Sequence, residues 1–149
     1  MDLVVVLSTV QIKMTLEHTI VDGITFVNVT GHPYDFGDKN SVWFTVPPCG
    51  KRLEAEATSI EVGRGPGGVK FCSSAFIPTP YGRSLVDHIR SLWPDAIILG
   101  SILAARAYAP DVVAAIPVPG FGRVPDYVKR MQPDRFTIFE PVPLPHAKP

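Results

Sequence analysis

The sequence has little charge, few side-chain amides and only two cysteines. Of its 149 residues 19% are charged, and fourteen basic residues balance fourteen acidic ones. Proteins that bind nucleic acids through phosphate contacts usually carry a basic excess, so the balance disfavours a nucleic-acid partner. Two asparagines and two glutamines stand against sixteen prolines, a composition typical of thermophile proteins, although the low charged fraction points the other way.

The two cysteines and four histidines show no metal-ligand spacing. Cys49 and Cys72 are far apart in the chain, and the histidines are scattered along it. We therefore expect two free thiols, with one disulfide as the alternative. No metal, cofactor or catalytic set is predicted from these residues.

No apolar run reaches the roughly 18 to 20 residues that a membrane span requires. The apolar stretch Leu3–Leu7 is short and follows Asp2, so it indicates a strand rather than a signal peptide. We expect a cytoplasmic protein, or one of a host cytoplasm or virion. The hydrophobic fraction of 46% supports one α+β domain over residues 1–140, followed by an extended proline-rich tail over 141–149.

The stretch 95–120 has the strongest pattern in the chain. Two apolar runs, Ala96–Leu99 and Val112–Ile116, flank the helix-favouring segment Ser101–Ala109, which ends before Pro110. Two apolar strands joined by a helix predict a right-handed parallel crossover buried on both faces.

Turn signals and apolar spacing predict the other elements. Asp22-Gly23 predicts a tight hairpin turn, and 63–68 a glycine-rich hairpin turn rather than a phosphate loop. Apolar spacing predicts a helix over Ser84–Trp93 with Ser84 as its N-cap. A short helix over Asp126–Met131 and an edge strand over Phe136–Phe139 complete the prediction. Together these predict an α+β fold: a mixed, mainly antiparallel sheet with two main helices and one β-α-β crossover.

A series of short motifs over 27–120 resembles a known group of proteins. The motifs are the segments 27–32, 46–50 and 98–107, and Asp111-Val112-Val113 followed by 117–120. Their order is similar to that of small uncharacterised bacteriophage and actinobacterial proteins with Asn-Leu-Thr-Pro-His and Ile-Pro-Pro-Ser-Gly motifs. Gly31 stands where that family has proline, and Cys49 where it has serine. The resemblance implies a viral or mobile-element origin, with an archaeal source as a further expectation, and no catalytic residues.

Polar residues near two predicted strand ends form the candidate ligand site. The crossover helix would offer free amides to an anion at its start, and ligands of open α/β sheets bind where strands end. The predicted ligand-binding residues are Asn28, Thr30, His32, Gly100, Ser101 and Arg106. The alternative is structural: Ser101 caps the helix and His32 is a hydrogen-bonded turn residue.

Three functions follow as hypotheses. The first is a non-enzymatic structural or interaction protein that self-associates as a homo-oligomer, with the proline-rich tail docking on a protein partner. The second is a protein or enzyme that binds a small anionic or nucleotide-like ligand at Gly100-Ser101. The third, nucleic-acid binding, would need its basic residues on one face: Arg64, Lys70, Arg123, Lys129, Arg130 and Arg135.

Overall fold

The computed structural model describes residues 16–125 and 128–141. These residues form nine strands and two helices. The strands are β1 (Thr19–Val21), β2 (Ile24–Asn28), β3 (Tyr34–Gly37), β4 (Val42–Val46), β5 (Ala55–Arg64), β6 (Lys70–Pro78), β7 (Ile97–Leu99), β8 (Val112–Pro117) and β9 (Met131–Thr137). The helices are α1 (Pro80–Leu92) and α2 (Ile102–Ala107). The predicted strand Leu3–Leu7 lies outside the described residues, as does most of the proline-rich tail.

Seven strands form one mixed sheet in the order β1-β2-β7-β8-β9-β3-β4, and β5 pairs only with β6. Three pairs are parallel, β2 with β7, β7 with β8, and β3 with β9. Four are antiparallel, β1 with β2, β3 with β4, β5 with β6, and β8 with β9. The predicted α+β fold with a mixed sheet and two helices is confirmed.

The parallel crossover lies at the centre of the sheet, as predicted. Ile98 pairs with Val112 in parallel register, and α2 connects the two strands. The helix is shorter than predicted because it ends at Tyr108, which leaves helical geometry at φ −110° and ψ 25°. The Tyr108 ring is fully buried, so packing rather than helix propensity ends α2.

Alternate residues of the central strands belong to two separate cores. Val27, Ile98 and Val112 face the helices, in a cluster that includes Leu85 and Ile89 of α1. Their neighbours along the strands, such as Phe26 and Leu99, face the other way. We call these sides the helix face and the inner face of the sheet. Successive side chains of a strand point to opposite faces. Because both faces of these strands are buried, the strands are apolar on both sides.

The sheet curls so that β4, at one end of the strand order, meets β2 near the other. The Phe26 ring of β2 lies 5.5 Å from the Phe44 ring of β4, measured between centroids. Asn28 also forms a parallel bridge to Pro48, just beyond β4. The aromatic side chains of the inner face therefore pack against one another rather than against a second layer of helices.

Helix α1 begins four residues earlier than the predicted Ser84. The Thr79 hydroxyl accepts the Gly82 N–H at 2.9 Å, and Pro80 occupies the first turn, where its missing N–H costs nothing. The predicted start was wrong because Pro80 is compatible with both a break and the first turn of a helix. The predicted apolar stripe is correct, since Leu85 and Ile89 are buried.

The predicted edge strand Phe136–Phe139 is wrong in position. Strand β9 runs from Met131 to Thr137 and lies between β8 and β3 in the interior of the sheet. Pro133 lies within β9, although proline is usually confined to edge strands and bulges. The strand accommodates it where the pairing with β8 shifts between Ala115 and Pro117. The predicted short helix Asp126–Met131 lies partly outside the described residues, and Met131 belongs to β9.

Both predicted hairpin turns are present. Asp22 and Gly23 adopt φ of 52° and 79° and join β1 to β2. Left-handed values at both positions are those of a tight hairpin turn that follows strand twist. The glycine-rich segment joins β5 to β6 through a short 3-10 turn at Pro66–Gly68.

The Tyr108 hydroxyl joins α2 to the segments at both ends of the β5–β6 hairpin. It donates to the Glu54 carbonyl at 2.6 Å and accepts the Thr79 N–H at 2.9 Å. A Cβ at Gly82 would overlap this hydroxyl, so glycine there makes room for it.

We expect Tyr108→Phe to lower the free energy of unfolding by about 1–3 kcal/mol, because it leaves a partly buried donor and acceptor without their partner. Urea unfolding followed by circular dichroism measures the change. The control is Tyr81→Phe, since the Tyr81 side chain is 51% exposed. Equal stability of Tyr108→Phe and wild type would contradict this role of the hydroxyl.

Candidate functional site

Three of the six predicted ligand-binding residues line one concavity of about 300 Å³. His32, Gly100 and Ser101 meet there, together with Tyr34 and Lys129. The concavity lies where β7 ends and α2 begins, and the loop before β3 forms another wall. The sheet curl brings these segments, about 70 positions apart in the sequence, to one place.

Backbone and hydroxyl groups at the start of α2 are already engaged. The Ser101 hydroxyl accepts the Ala104 N–H at 3.1 Å, and the Gly100 N–H donates to Val113 at 2.9 Å. A Cβ at Gly100 would lie 2.6 Å from a methyl of Val112, so only glycine lets β7 and β8 approach here. The six-residue α2 provides only a small dipole. Ser101 therefore has the structural role that the sequence offered as the alternative.

Asn28 and Thr30 do not line the concavity but join strand ends. Asn28 is 1% exposed, and its amide nitrogen donates to Val46 at 3.1 Å and to His32 at 2.9 Å. Its amide oxygen accepts the Thr30 N–H at 2.9 Å and lies 2.7 Å from the Thr30 hydroxyl. Both N–H donors and both acceptor positions of this buried amide are used. The Asn28 side chain therefore holds the loop that carries His32.

Arg106 lies away from the concavity. Its guanidinium lies over the Phe139 ring, 4.9 Å from the centroid, beyond the end of β9. The nearby Asp111 carboxylate is bound by Arg83 at 3.3 Å and Arg90 at 3.5 Å. Arg90 is therefore a bridging side chain that joins α1 to Asp111.

Two side chains that carry or can carry positive charge, His32 and Lys129, face the concavity. The His32 ring meets the Tyr34 ring edge-on at 5.0 Å, and His32 Nδ1 lies 3.3 Å from the Pro33 carbonyl oxygen. Tyr34 is buried and forms a firm wall. An imidazole, an ammonium group and a phenol ring therefore share the lining of this concavity.

A second feature, which the sequence did not single out as functional, is the hairpin of β5 and β6. We call residues 55–78 the arm. From Glu61 to Ser74 every residue except Gly65 is exposed, and Val62, Val69 and Phe71 are exposed by 66%, 56% and 55%. Ile60 and Val62 alternate with Ser59 and Glu61, which was the available signal for a strand at these positions.

Basic residues are divided between the arm and the sheet. Arg64 and Lys70 face each other at the tip of the arm. Arg130 instead donates to the Asp38 carbonyl and lies over the Phe121 ring, and Arg135 is paired with Asp134 at 3.1 Å. This distribution gives no support to a shared basic surface.

The two cysteines have opposite environments. Cys49 is fully buried, its Sγ donates to the Lys51 carbonyl at 3.3 Å, and burial raises the pKa of its thiol. Cys72 is exposed on the arm, and both thiols are free. Across residues 16–125 and 128–141 there is no cluster of three potential metal-binding side chains. Neither described helix has the length and apolar character to cross a bilayer.

The chain matches no family model, no curated protein and no solved structure.

We expect a thiol reagent such as DTNB to modify Cys72 quickly at pH 8 and Cys49 only after unfolding. An excluded thiol with a raised pKa presents little thiolate to the reagent. Absorbance should show one equivalent released from the native protein and two in guanidinium chloride. The variant Cys72→Ser provides the control, with no fast phase. Two fast equivalents from native wild-type protein would contradict the burial of Cys49.

We expect Asn28→Ala to cost about 2–4 kcal/mol of unfolding free energy, since it removes hydrogen bonds at four partners and opens a buried space. Urea unfolding measures the loss. Asn40→Ala is the matched control, because Asn40 is exposed and contributes only its backbone N–H, to Asp38 at 2.8 Å. A cost below that of the control would show that Asn28 does not hold the strand ends together.

Proposed function

We propose that this chain is a non-enzymatic interaction protein that self-associates through the arm. The observation that carries the proposal is the exposed distal half of the arm with its three large apolar side chains, Val62, Val69 and Phe71. Of the twelve large hydrophobic residues that are exposed in the described part of the chain, these three lie within ten positions of one another, and exposed apolar groups gathered in one place mark interaction surfaces.

The energetics of the arm support this function. A two-stranded hairpin is at best marginally stable in water, because most of its hydrogen bonds and side chains stay solvated. Only the base of the arm is packed, where Ala75 is buried and the strands contact α2. The ten-residue strand β5 extends up to about 33 Å, well beyond what that contact covers. Association with another copy would supply the packing that the distal half does not have.

The other expectations from the sequence remain proposals. We place the assembly in the cytoplasm, or in a host cytoplasm or virion, and a viral or mobile-element origin stays a prediction carried by sequence resemblance alone. The proline-rich tail stays a predicted second docking segment, since residues 142–149 lie outside the described part of the chain.

The proposal predicts that shortening the arm abolishes self-association. Ile60 and Ser73 face each other in register, so an Asn-Gly turn can replace residues 61–72 and close the hairpin there. Light scattering coupled to size exclusion should show an oligomer for wild type and a monomer for the shortened chain. Circular dichroism should show that the shortened chain stays folded.

A point variant gives a milder version of the same test. Phe71→Ser should weaken association, whereas Ile138→Ser, which removes an equally exposed side chain outside the arm, should not. A wild-type chain that is monomeric up to the highest soluble concentration would overturn the proposal. So would an oligomer unchanged by arm shortening.

The concavity at His32, Gly100 and Ser101 favours a second candidate function, the binding of a small anionic or nucleotide-like ligand. Its volume of about 300 Å³ lies at the lower end of the range for small-molecule sites, and His32 and Lys129 offer donors to an anion. Tyr34 provides an aromatic wall next to them.

We expect adenosine monophosphate to produce saturable shifts of the amide signals of His32, Gly100 and Ser101 in NMR spectra. His32→Ala should remove the saturation, and His18→Ala, whose ring instead packs on Trp93, should keep it. Inorganic phosphate alone tests whether the anion suffices. Linear, non-saturating shifts with both probes would reject this function.

A further inference from the structure

We infer that the outer edge of β6 pairs antiparallel with the β6 edge of a second copy of this chain, joining two arms into one four-stranded sheet. The inference rests on the proposed self-association and specifies its surface and its symmetry. In such a two-fold arrangement both copies contribute the same surface, here the edge of β6. Most homodimers have two-fold symmetry of this kind.

The two outer edges of the arm differ in how well they are protected against pairing with another strand. Strand β5 carries Glu56 and Glu61, and its pairing with β6 is interrupted by a bulge between Glu61 and Gly63. Charges and bulges are the devices by which exposed edges resist pairing. Strand β6 has neither charge nor proline over residues 71–77. Over residues 71–74, which are all exposed, it is the edge of the arm that is open to another strand.

Backbone groups along this edge supply the driving force. In an antiparallel pair, alternate N–H and C=O groups point away from the partner strand. Within the described residues β6 pairs only with β5, so its outward groups have no strand opposite them. A second β6 would satisfy these groups and cover the Phe71 side chain, which is 55% exposed.

The sequence of β6 suits pairing with itself. A two-fold axis at Ser74 sets Phe71 opposite Ile77 and Cys72 opposite Phe76, while an axis at Ser73 sets Phe71 opposite Ala75. Both registers place apolar beside apolar and oppose no like charges, which is favourable for cross-strand pairs.

Charges along the arm favour the antiparallel direction. The basal half of the arm carries Glu56, a net charge of −1. The distal half carries Glu61, Arg64 and Lys70, or −1 + 2 = +1. Antiparallel arms set the distal half of one copy beside the basal half of the other, so that opposite charges approach. Parallel arms would set like charges together.

A matched cysteine scan tests the edge. The β6 positions are Cys72, Ser73 and Ser74, and the residues that face them on β5 are Glu61, Ile60 and Ser59. Six proteins are compared, each with one exposed cysteine on the two strands. Wild type supplies Cys72, and the other five positions are changed to cysteine one at a time in a Cys72→Ser background. Mild oxidation followed by non-reducing electrophoresis should give a disulfide-linked dimer from at least one β6 position and from no β5 position.

A charge pair provides a test that does not depend on disulfide geometry. Ser74→Lys should raise the dissociation constant at least about fivefold, since it places a charge on the pairing edge. Ser59→Lys, on the facing residue of β5, should change it less than about twofold. Sedimentation equilibrium measures both.

The outcomes separate this inference from the proposed function. If the chain associates and arm shortening abolishes that association, but cross-links form only from β5 positions or from none of the six, the β6 edge is wrong and self-association stands. If Ser74→Lys and Ser59→Lys change the dissociation constant equally, the assignment of the interface to the β6 edge is likewise wrong. A chain that stays monomeric overturns both.

Discussion

The hydrogen bonds of one buried amide set the shape of this molecule. Asn28 ends β2, and its side chain donates to the carbonyl of Val46, the last residue of β4. The N–H of Cys49 donates back to the Asn28 carbonyl at 2.7 Å. Together with the contact between the Phe26 and Phe44 rings, this junction brings β2 and β4 together and holds the curl of the sheet. Without it, the aromatic residues of the inner face would lie on an open surface facing water.

The curl determines what the rest of the structure can do. It brings the loop at His32 next to the end of β7 and so creates the concavity. It also leaves both helices on one side, where α1 and α2 cover the helix face. The arm departs from this helical side and lies outside both cores along its distal half. The body thus carries a projection whose distal half is exposed to solvent.

Local patterns predicted those parts of the fold that local physics decides. The parallel crossover follows from two apolar runs around a helical segment, and the Asp22-Gly23 turn from the need for left-handed backbone geometry. The start of α1 was missed because Pro80 is compatible with both a break and a first helical turn. Strand β9 was misplaced because its position inside the sheet depends on partners far away in the sequence.

The site was predictable only in part for the same reason. Gly100 and Ser101 follow a strand, and His32 follows a turn, so each could be selected locally, and the structure brings them together. The burial of Asn28 depends on β4 returning to meet it, which no local pattern contains. Arg106 was selected for its charge and lies instead over Phe139. The arm was recognised as a turn between strands, but its projection from the body is a property of the whole fold.

The strand order also bears on how the chain is made. Strands β3 and β4 join the sheet through β9, apart from the short junction at Asn28, and β9 is the last strand to leave the ribosome. The edge of β3 that pairs with β9 must therefore stay unpaired until about ninety further residues are translated. At bacterial-type elongation of about 5–20 residues per second this delay lasts roughly five to twenty seconds. During that interval the nascent polypeptide is a natural client for chaperones that shield unpaired strand edges.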